Sequence, residues 1–234
     1  MNHFAKLLIA ACAVANLPEA AAETFNLAQD WSATSNPNGP WSYRRGTTLL
    51  PYQATTCCGL PQGPSFAPSS VPGSFLPIFF RPAAAGSDIA IHSYDPGNGG
   101  VFLGEAILNW ASPITGIVNL SGYFYYAQNP QQRSNEVVVR QGTSVLGQAT
   151  VSFASFQNSA NPWNFSFPSL AVSVGDVLSV SFTRSIGQSA GSSVAGNVVV
   201  SAVPEVPSMV SMLLGLGLLG VIASVRKQSH TNDA

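Results

Sequence analysis

Hydrophobic and polar residues alternate in short runs along most of the chain from residue 74 to residue 203. Such runs of β-branched and aromatic residues, bounded by Gly, Pro, Asn and Ser, predict β-strands. They are SFLPIFFR, SDIAIHSY, GEAILNWAS, GIVNLSGYFYYAQ, NEVVVRQ, SVLGQATVSF, NFSFPSLAVSV, DVLSVSFTR and GNVVVSAV. In VLSVSFTR, Leu178, Val180 and Phe182 share one face, and the residues between them share the other. One dry face and one wet face indicate antiparallel sheets.

No convincing helical pattern occurs between Glu23 and Val203, so the sequence predicts one exported all-β domain over residues 23–203. Many short strands at regular spacing are typical of an antiparallel β-sandwich, and we expect a jelly-roll-like arrangement. The stretch from Arg44 to Gly73 is richer in Pro and Gly and predicts a long irregular loop.

The C-terminal region has a different pattern. An uncharged apolar run over residues 209–225 has no polar face, and its length fits one transmembrane helix. Arg226 and Lys227 follow it directly, and basic residues mark the cytoplasmic side of a membrane. The bulk of the chain is therefore expected outside the cytoplasm.

The N-terminal 22 residues have the three parts of a secretory signal peptide. Lys6 supplies charge, an apolar core runs from residue 7 to residue 15, and small residues end at Ala22. We predict cleavage between Ala22 and Glu23. A lipoprotein signal ending at Cys12 is the alternative, with a very short apolar core.

The C-terminal 31 residues, 204–234, resemble a PEP-CTERM sorting signal: a proline-glutamate motif, a Leu/Gly-rich helix and a basic end. The family usually reads Pro-Glu-Pro, whereas Val206 stands between Glu205 and Pro207 here. The resemblance implies recognition by exosortase, a membrane-embedded peptidase of Gram-negative bacteria, and delivery to the cell surface or the extracellular matrix. The residues that carry it are Val203, Pro204, Glu205, Pro207, Arg226 and Lys227.

A second, looser resemblance covers most of the exported domain. The segment FNLAQDWSATSNPNGPWSYRRG is similar to the opening of many exported PEP-CTERM proteins, and IAIHSYDPG and VGDVLSVSF look like later landmarks of that group. The resemblance implies a jelly-roll sandwich related in shape to carbohydrate-binding modules, in an extracellular setting.

Charge and cysteine content limit the kinds of partner and site that can be expected. No lysine occurs between Lys6 and Lys227, and the six arginines of residues 23–203 nearly balance seven carboxylates. Without a basic stripe, nucleic acid is not an expected partner. Cys57 and Cys58 are adjacent, which disfavours an ordinary disulfide; a strained ring, an intermolecular bond and free thiols stay open. They lack the further ligands of a zinc site.

The candidate catalytic motifs each have a simpler explanation. GQSAG at 187–191 matches a nucleophile elbow, but another strand rather than a helix is expected after it. The only later histidine, His230, is in the expected cytoplasmic tail, so the sequence predicts a hairpin loop. His92 could act as a base, and Glu105 with Glu136 as a glycosidase pair, although both patterns also suit ordinary strands. Asp95–Gly100 is expected to be a turn rather than a calcium loop. We expect no catalytic residue, no metal and no cofactor.

Aromatic residues supply the better binding hypothesis. Trp31, Trp41 and Tyr43 crowd the first strands, and tyrosines 123, 125 and 126 crowd a later one. Aromatic faces stack on sugar rings, so the first three form a candidate glycan platform; core packing is the alternative.

These observations lead to one expectation with two alternatives. We expect an exported, non-enzymatic surface or matrix protein, held in the membrane by its C-terminal helix and then processed by an exosortase-like peptidase. A carbohydrate-binding module for extracellular polysaccharide is the first alternative, and a hydrolase is the second.

Overall fold

The computed structural model describes residues 22–55, 64–70, 76–82, 88–94, 104–128, 132–156, 158–188 and 190–204. Residues 23–203 form one compact unit. Most of the signal peptide, the vicinal cysteines, the predicted turn at 95–100 and the tail beyond Pro204 lie outside the described residues. Within the described ranges, no helix is long and apolar enough to cross a bilayer, and the span predicted over 209–225 lies beyond them.

The described residues form fourteen strands and no helix, as the alternating pattern predicts. The strands are β1 (Thr24–Asn26), β2 (Trp41–Arg45), β3 (Thr48–Leu49), β4 (Tyr52–Gln53), β5 (Ser65–Phe66), β6 (Ile78–Phe80), β7 (Ile89–His92), β8 (Ala106–Ala111), β9 (Gly116–Tyr126), β10 (Ser134–Gln141), β11 (Ser144–Ser152), β12 (Trp163–Val172), β13 (Val177–Arg184) and β14 (Ser193–Ala202). Each of the nine predicted runs overlaps one of β6 to β14 over most of the strand, so those predictions are confirmed.

The strands make two antiparallel sheets. Sheet A has the order β12-β9-β14-β7-β6-β5-β4, with β1 also paired to β14. Sheet B has the order β11-β10-β13-β8-β2-β3. The inner faces share one core, which includes Trp41 and Trp110 from sheet B and Phe124 from sheet A. The chain is therefore an all-β sandwich.

The alternation along β13 explains how one strand serves both core and surface. Leu178, Val180 and Phe182 are buried against the other sheet, as predicted. Ser181 points to the opposite face but is also buried. The guanidinium group of Arg140 covers it, donating a 2.6 Å hydrogen bond to its hydroxyl oxygen.

Two predictions about connections are wrong. The predicted irregular loop from Arg44 to Gly73 includes the end of β2 and the strands β3, β4 and β5. Strands of two residues are too short to show alternation in the sequence. They form because β3 pairs with β2, β5 pairs with β6, and β4 pairs with β5. The segment 187–191 is not a hairpin, because it connects β13 of sheet B with β14 of sheet A. Ser189 itself lies outside the described residues.

The chain enters and leaves the sandwich at the same end. Thr24 is the cross-strand partner of Ser201, and the amide of Ala202 donates a 2.8 Å hydrogen bond to the carbonyl oxygen of Glu23. Ala22, Glu23, Val203 and Pro204 are all exposed there. The flanks that carry the predicted signal peptide and sorting tail are thus side by side.

Candidate functional site

The predicted glycan platform is wrong for Trp41 and Tyr43, which lie on the inner face of β2. Trp41 is 1 % exposed and Tyr43 is fully buried. The indole of Trp41 donates a 3.0 Å hydrogen bond to the Asp30 carboxylate, and burial raises the pKa of Tyr43 far above its usual value. Trp31 is half-buried and packs on Tyr43, with ring centroids 4.8 Å apart. These rings build the core, so a sugar cannot stack on them together.

The second aromatic group has a different position. Tyr126 faces the core, whereas Tyr123 and Tyr125 are on the outer face of sheet A. The outer face carries one row of four cross-strand neighbours, running Phe80–Ala90–Ala195–Tyr125 over β6, β7, β14 and β9. Strands about 4.8 Å apart place the two aromatic residues of the row about 14 Å apart, with the alanines between them.

A groove of about 330 Å³ opens along this row. Its lining includes Phe80, Pro82, Ala90, Tyr125, Ser193 and Ala195. Volumes from about 300 Å³ upwards are typical of small-molecule sites, and such sites combine apolar walls with a few polar groups. The small side chains of β7 and β14 form the floor, because larger ones would fill the space that the groove occupies.

Next to the groove is a carboxylate shared by two tyrosines, which we call the tyrosine clamp (Asp88, Tyr123 and Tyr125); of the three, Tyr125 also lines the groove. The hydroxyl of Tyr123 donates a 2.7 Å hydrogen bond to one carboxylate oxygen of Asp88, and that of Tyr125 donates a 2.9 Å bond to the other. Asp88 directly precedes β7, while both tyrosines are on β9, so both rings reach across β14. The rings therefore lie along the sheet rather than projecting from it.

The electrostatics of the clamp favour protonated tyrosines. Burial is the main cause that raises the pKa of Tyr123 to about 12, with the hydrogen bond to Asp88 and its charge adding to the effect. The same causes, in the same order, raise the pKa of Tyr125 further. Asp88 is only 8 % exposed, and a carboxylate has about four acceptor positions. Among the described residues, the hydroxyl groups of the two tyrosines donate to it.

Sequence reasoning singled out the tyrosines but missed their partner. The spacing of Tyr123 and Tyr125 already placed them on one face of a strand. Asp88 lies 35 residues before Tyr123, and nothing local in the sequence shows that β14 inserts between β7 and β9.

The candidate catalytic groups are not gathered into one site. His92 is 5 % exposed, and its Nδ1 lies 2.6 Å from the carbonyl oxygen of Ser93. The carboxylate of Glu136 accepts hydrogen bonds from Thr150 and Ser185. Glu105 lines a small cavity of about 60 Å³ whose described lining does not include Glu136. The described residues contain no cluster of three or more potential metal ligands.

A buried polar network joins the sheets beside the groove. The amide nitrogen of Asn135 donates a 2.7 Å hydrogen bond to the carbonyl of Ser192, and its oxygen accepts from the Ser93 hydroxyl. Asn135 is on β10 of sheet B, whereas Ser93 follows β7 of sheet A. The network therefore fixes the position of Ser193, which lines the groove.

The predicted sorting residues are only partly described. Val203 is 37 % exposed and follows β14, and Pro204 is exposed beside it. Glu205, Pro207, Arg226 and Lys227 lie outside the described residues. The cleavage pair, Ala22 and Glu23, is exposed at the start of β1.

Comparisons with protein-family models and with curated proteins give no match. Among solved structures, the chain is similar to the K1 cleaved adhesin domain of Lys-gingipain from Porphyromonas gingivalis W83 (TM-score 0.41, 11 % identity, 78 % of this chain and 99 % of that chain). It is also similar to the CBM22-1 xylan-binding domain from Paenibacillus barcinonensis Xyn10C (TM-score 0.35, 8 % identity, 80 % and 98 %). At these scores and identities the similarities assign no function, which rests on the chain's own residues.

Proposed function

We propose that this protein is an exported, non-enzymatic surface or extracellular-matrix protein whose sandwich binds a neutral polysaccharide. The observation that carries the binding role is the tyrosine clamp beside the aromatic-walled groove. The sections of the chain that would deliver the protein to the surface are its signal peptide and its sorting tail.

The groove has the chemistry that a sugar requires. Tyrosine and phenylalanine rings pack on the apolar faces of pyranoses, and the rings of Phe80 and Tyr125 line the groove together with small side chains. Tyr125 connects this lining to the Asp88 carboxylate, which we expect to accept hydrogen bonds from sugar hydroxyls, and hydrogen bonds to a charged group are the stronger kind. The described lining contains no arginine or lysine, which favours a neutral polymer over an acidic one.

The strand order supports a jelly-roll reading of the sandwich. With β7 to β14 counted as strands one to eight, the core of sheet A has the order six-three-eight-one and that of sheet B has the order five-four-seven-two. Two interleaved Greek keys give this arrangement.

The delivery route rests on the two chain flanks. A signal peptide and a tail helix would both connect the domain to a membrane. The amide of Ala202 donates a hydrogen bond to Glu23, so the two flanks to which they would be attached are close together, which supports this route. An exosortase-like peptidase would read Pro204, Glu205 and Pro207, since prolines keep the backbone extended. Arg226 and Lys227 would hold the tail's end in the cytoplasm.

The binding role is tested with the secreted protein and the host's own extracellular polysaccharide. Asp88→Asn and Tyr123→Phe are expected to weaken affinity about tenfold or more, because each disturbs a hydrogen bond at a charged group. Tyr52→Phe is the matched control, since Tyr52 is 42 % exposed on the edge strand β4, away from the groove. Equal affinity in all variants, with their folds intact, would contradict the proposed site.

The delivery route is tested by intact mass and cell fractionation in the native host. The wild type is expected to lose its tail near Pro204 and to appear outside the cell, while Glu205→Ala stays in the inner membrane. A host strain without its processing peptidase should retain the wild type in the same way. A wild-type protein that keeps its tail in the membrane would contradict processing.

A further inference from the structure

Three turns lie at the end of the sandwich where the chain enters and leaves. We call it the exit end: the turns at 112–115, 142–143 and 173–176, together with Ala22–Thr24 and Ser201–Pro204. Ser112 exchanges 2.8 Å backbone hydrogen bonds with Gly175 and Asp176, and the amide of Gly142 donates to Val177. The amide of Val203 donates to Ile117, next to the first of these turns.

The exit end shows apolar side chains to solvent and has few charges. Val174 is 67 % exposed at the tip of one turn, and Val145, beside another, is 54 % exposed. Val203 is 37 % exposed where the chain leaves. The segments that make up this end contain two carboxylates, Glu23 and Asp176, and Arg140 lies beside them as the cross-strand partner of Val145.

The opposite end of the sandwich has a different charge content. Arg133 and Arg184 lie at the ends of β10 and β13 there, and Arg45 pairs with Ala106 at the start of β8. That end also has an exposed apolar residue, because Ile186 is fully accessible in the β13–β14 connection. Exposed apolar side chains alone therefore do not distinguish the two ends, whereas the point of chain exit does.

We infer that the exit end rests on the outer surface of a lipid bilayer while the protein is tethered, with Val145 and Val174 in contact with the lipid. The inference depends on the membrane tether of the proposed function. Only residues 204–208 separate the sandwich from the apolar run that starts at 209, and five extended residues span at most about 18 Å. The tether thus holds this end within reach of the membrane surface.

The lipid class follows from the charges. An end with two carboxylates and one neighbouring arginine has no net positive charge to attract anionic headgroups, so the contact is expected to be apolar and to suit zwitterionic lipids. Two valines would not hold a free domain on a membrane. A tether raises their effective concentration at the surface, which makes a weak contact persistent.

The test uses the tail-bearing protein in phosphatidylcholine vesicles, with Cys12, Cys57 and Cys58 replaced by serine. A polarity-sensitive fluorophore is attached in turn to Val174→Cys and Val145→Cys. Ile186→Cys is the matched control at the opposite end, and Ser211→Cys reports on the predicted helix. Vesicles containing lipids with a nitroxide quencher on the acyl chain measure contact with the lipid.

The labels at 174 and 145 are expected to shift to the blue and lose most of their emission to the quencher, at low and at high salt, while the label at 186 is unaffected. Quenching at 211 without quenching at 174 and 145 would overturn the inference and leave the tether intact. Loss of quenching at high salt would overturn the apolar contact. No quenching at 211 would overturn the tether, and the inference with it.

Discussion

The hydroxyl of Tyr125 lies 2.9 Å from a carboxylate oxygen of Asp88, although a whole strand, β14, separates their strands. The contact is possible because the side chains beneath it are small: Ala195 is the direct cross-strand neighbour of both Tyr125 and Ala90. The clamp and the floor of the groove are therefore one structural unit, and changes in either are expected to affect the other.

Enlarging the floor should disturb the clamp. Ala195→Leu adds volume at a residue that is 1 % exposed, and such overpacking costs about 1–3 kcal/mol of the free energy of unfolding. We expect that loss in chemical denaturation, together with weaker polysaccharide binding. Ala160→Leu, in an exposed turn, is the control and should change neither quantity. An Ala195→Leu protein with wild-type stability and affinity would show that the groove floor is not packed as described.

The clamp also predicts a loss of stability in alkali. The folded protein raises the pKa of Tyr123 from 10.0 to about 12, so the folded state binds the phenolic proton more tightly than the unfolded state. This contribution is fully present below pH 10 and is lost as the pH rises towards about 12. Denaturation at a series of pH values, with tyrosinate absorbance, measures it.

A variant of the clamp separates the two causes of that shift. Asp88→Asn removes the charge but not the burial, which is the larger cause, so the pKa of Tyr123 should fall only part of the way to its usual value. If Asp88→Asn leaves the tyrosine titration unaltered, the hydrogen bonds to Asp88 do not exist in solution.

The polar network between the sheets should be costly to break. Asn135 is fully buried, and Asn135→Ala leaves the Ser93 hydroxyl and the Ser192 carbonyl each without one partner. We expect a loss of about 1–3 kcal/mol in unfolding free energy. The exposed Asn164 offers the comparison: Asn164→Ala should stay within about 0.5 kcal/mol of wild type. Equal losses of unfolding free energy at the two positions would show that the network does not stabilise the fold.

Gly196 is expected to tolerate no side chain. A Cβ atom at this position of β14 would collide with the backbone carbonyl oxygen of Tyr123 on β9. An ordinary point substitution lowers the free energy of unfolding by about 1 kcal/mol, and Gly196→Ala should lower it by clearly more. The substitution should also displace Tyr123, the clamp tyrosine beside it. Ser201→Ala, half-buried on the same strand, is the control for the denaturation measurement.

Sequence patterns predicted those parts of the fold that depend on local alternation. The runs that became β6 to β14 are long enough to show it, whereas β3, β4 and β5 have two residues each and form only by pairing. The sequence could not predict that Trp41 and Tyr43 point into the core. Their spacing places both side chains on one face of the strand, but it does not show which face is buried. The core position of that face depends on pairing with β8.

The candidate site was harder to predict from the sequence than the strands, for a similar reason. Asp88 and Tyr125 are 37 residues apart, and they meet only because β14, from the end of the domain, inserts between their strands. Strand order is set by the packing of the whole sandwich rather than by any local signal. The tyrosine spacing in β9 was the one feature that a sequence could show.

The most direct test of the proposed function is tyrosine footprinting on the secreted protein. Nitration is followed by mass spectrometry, with and without oligosaccharides prepared from the host's extracellular polysaccharide. Tyr123 is half-buried beside the groove, and the exposed Tyr52 is an internal control within the same molecule. The account predicts saturable protection of Tyr123, unaffected by salt, with no protection of Tyr52. Oligosaccharide binding that leaves Tyr123 as reactive as in the free protein, or no binding at all, would contradict it.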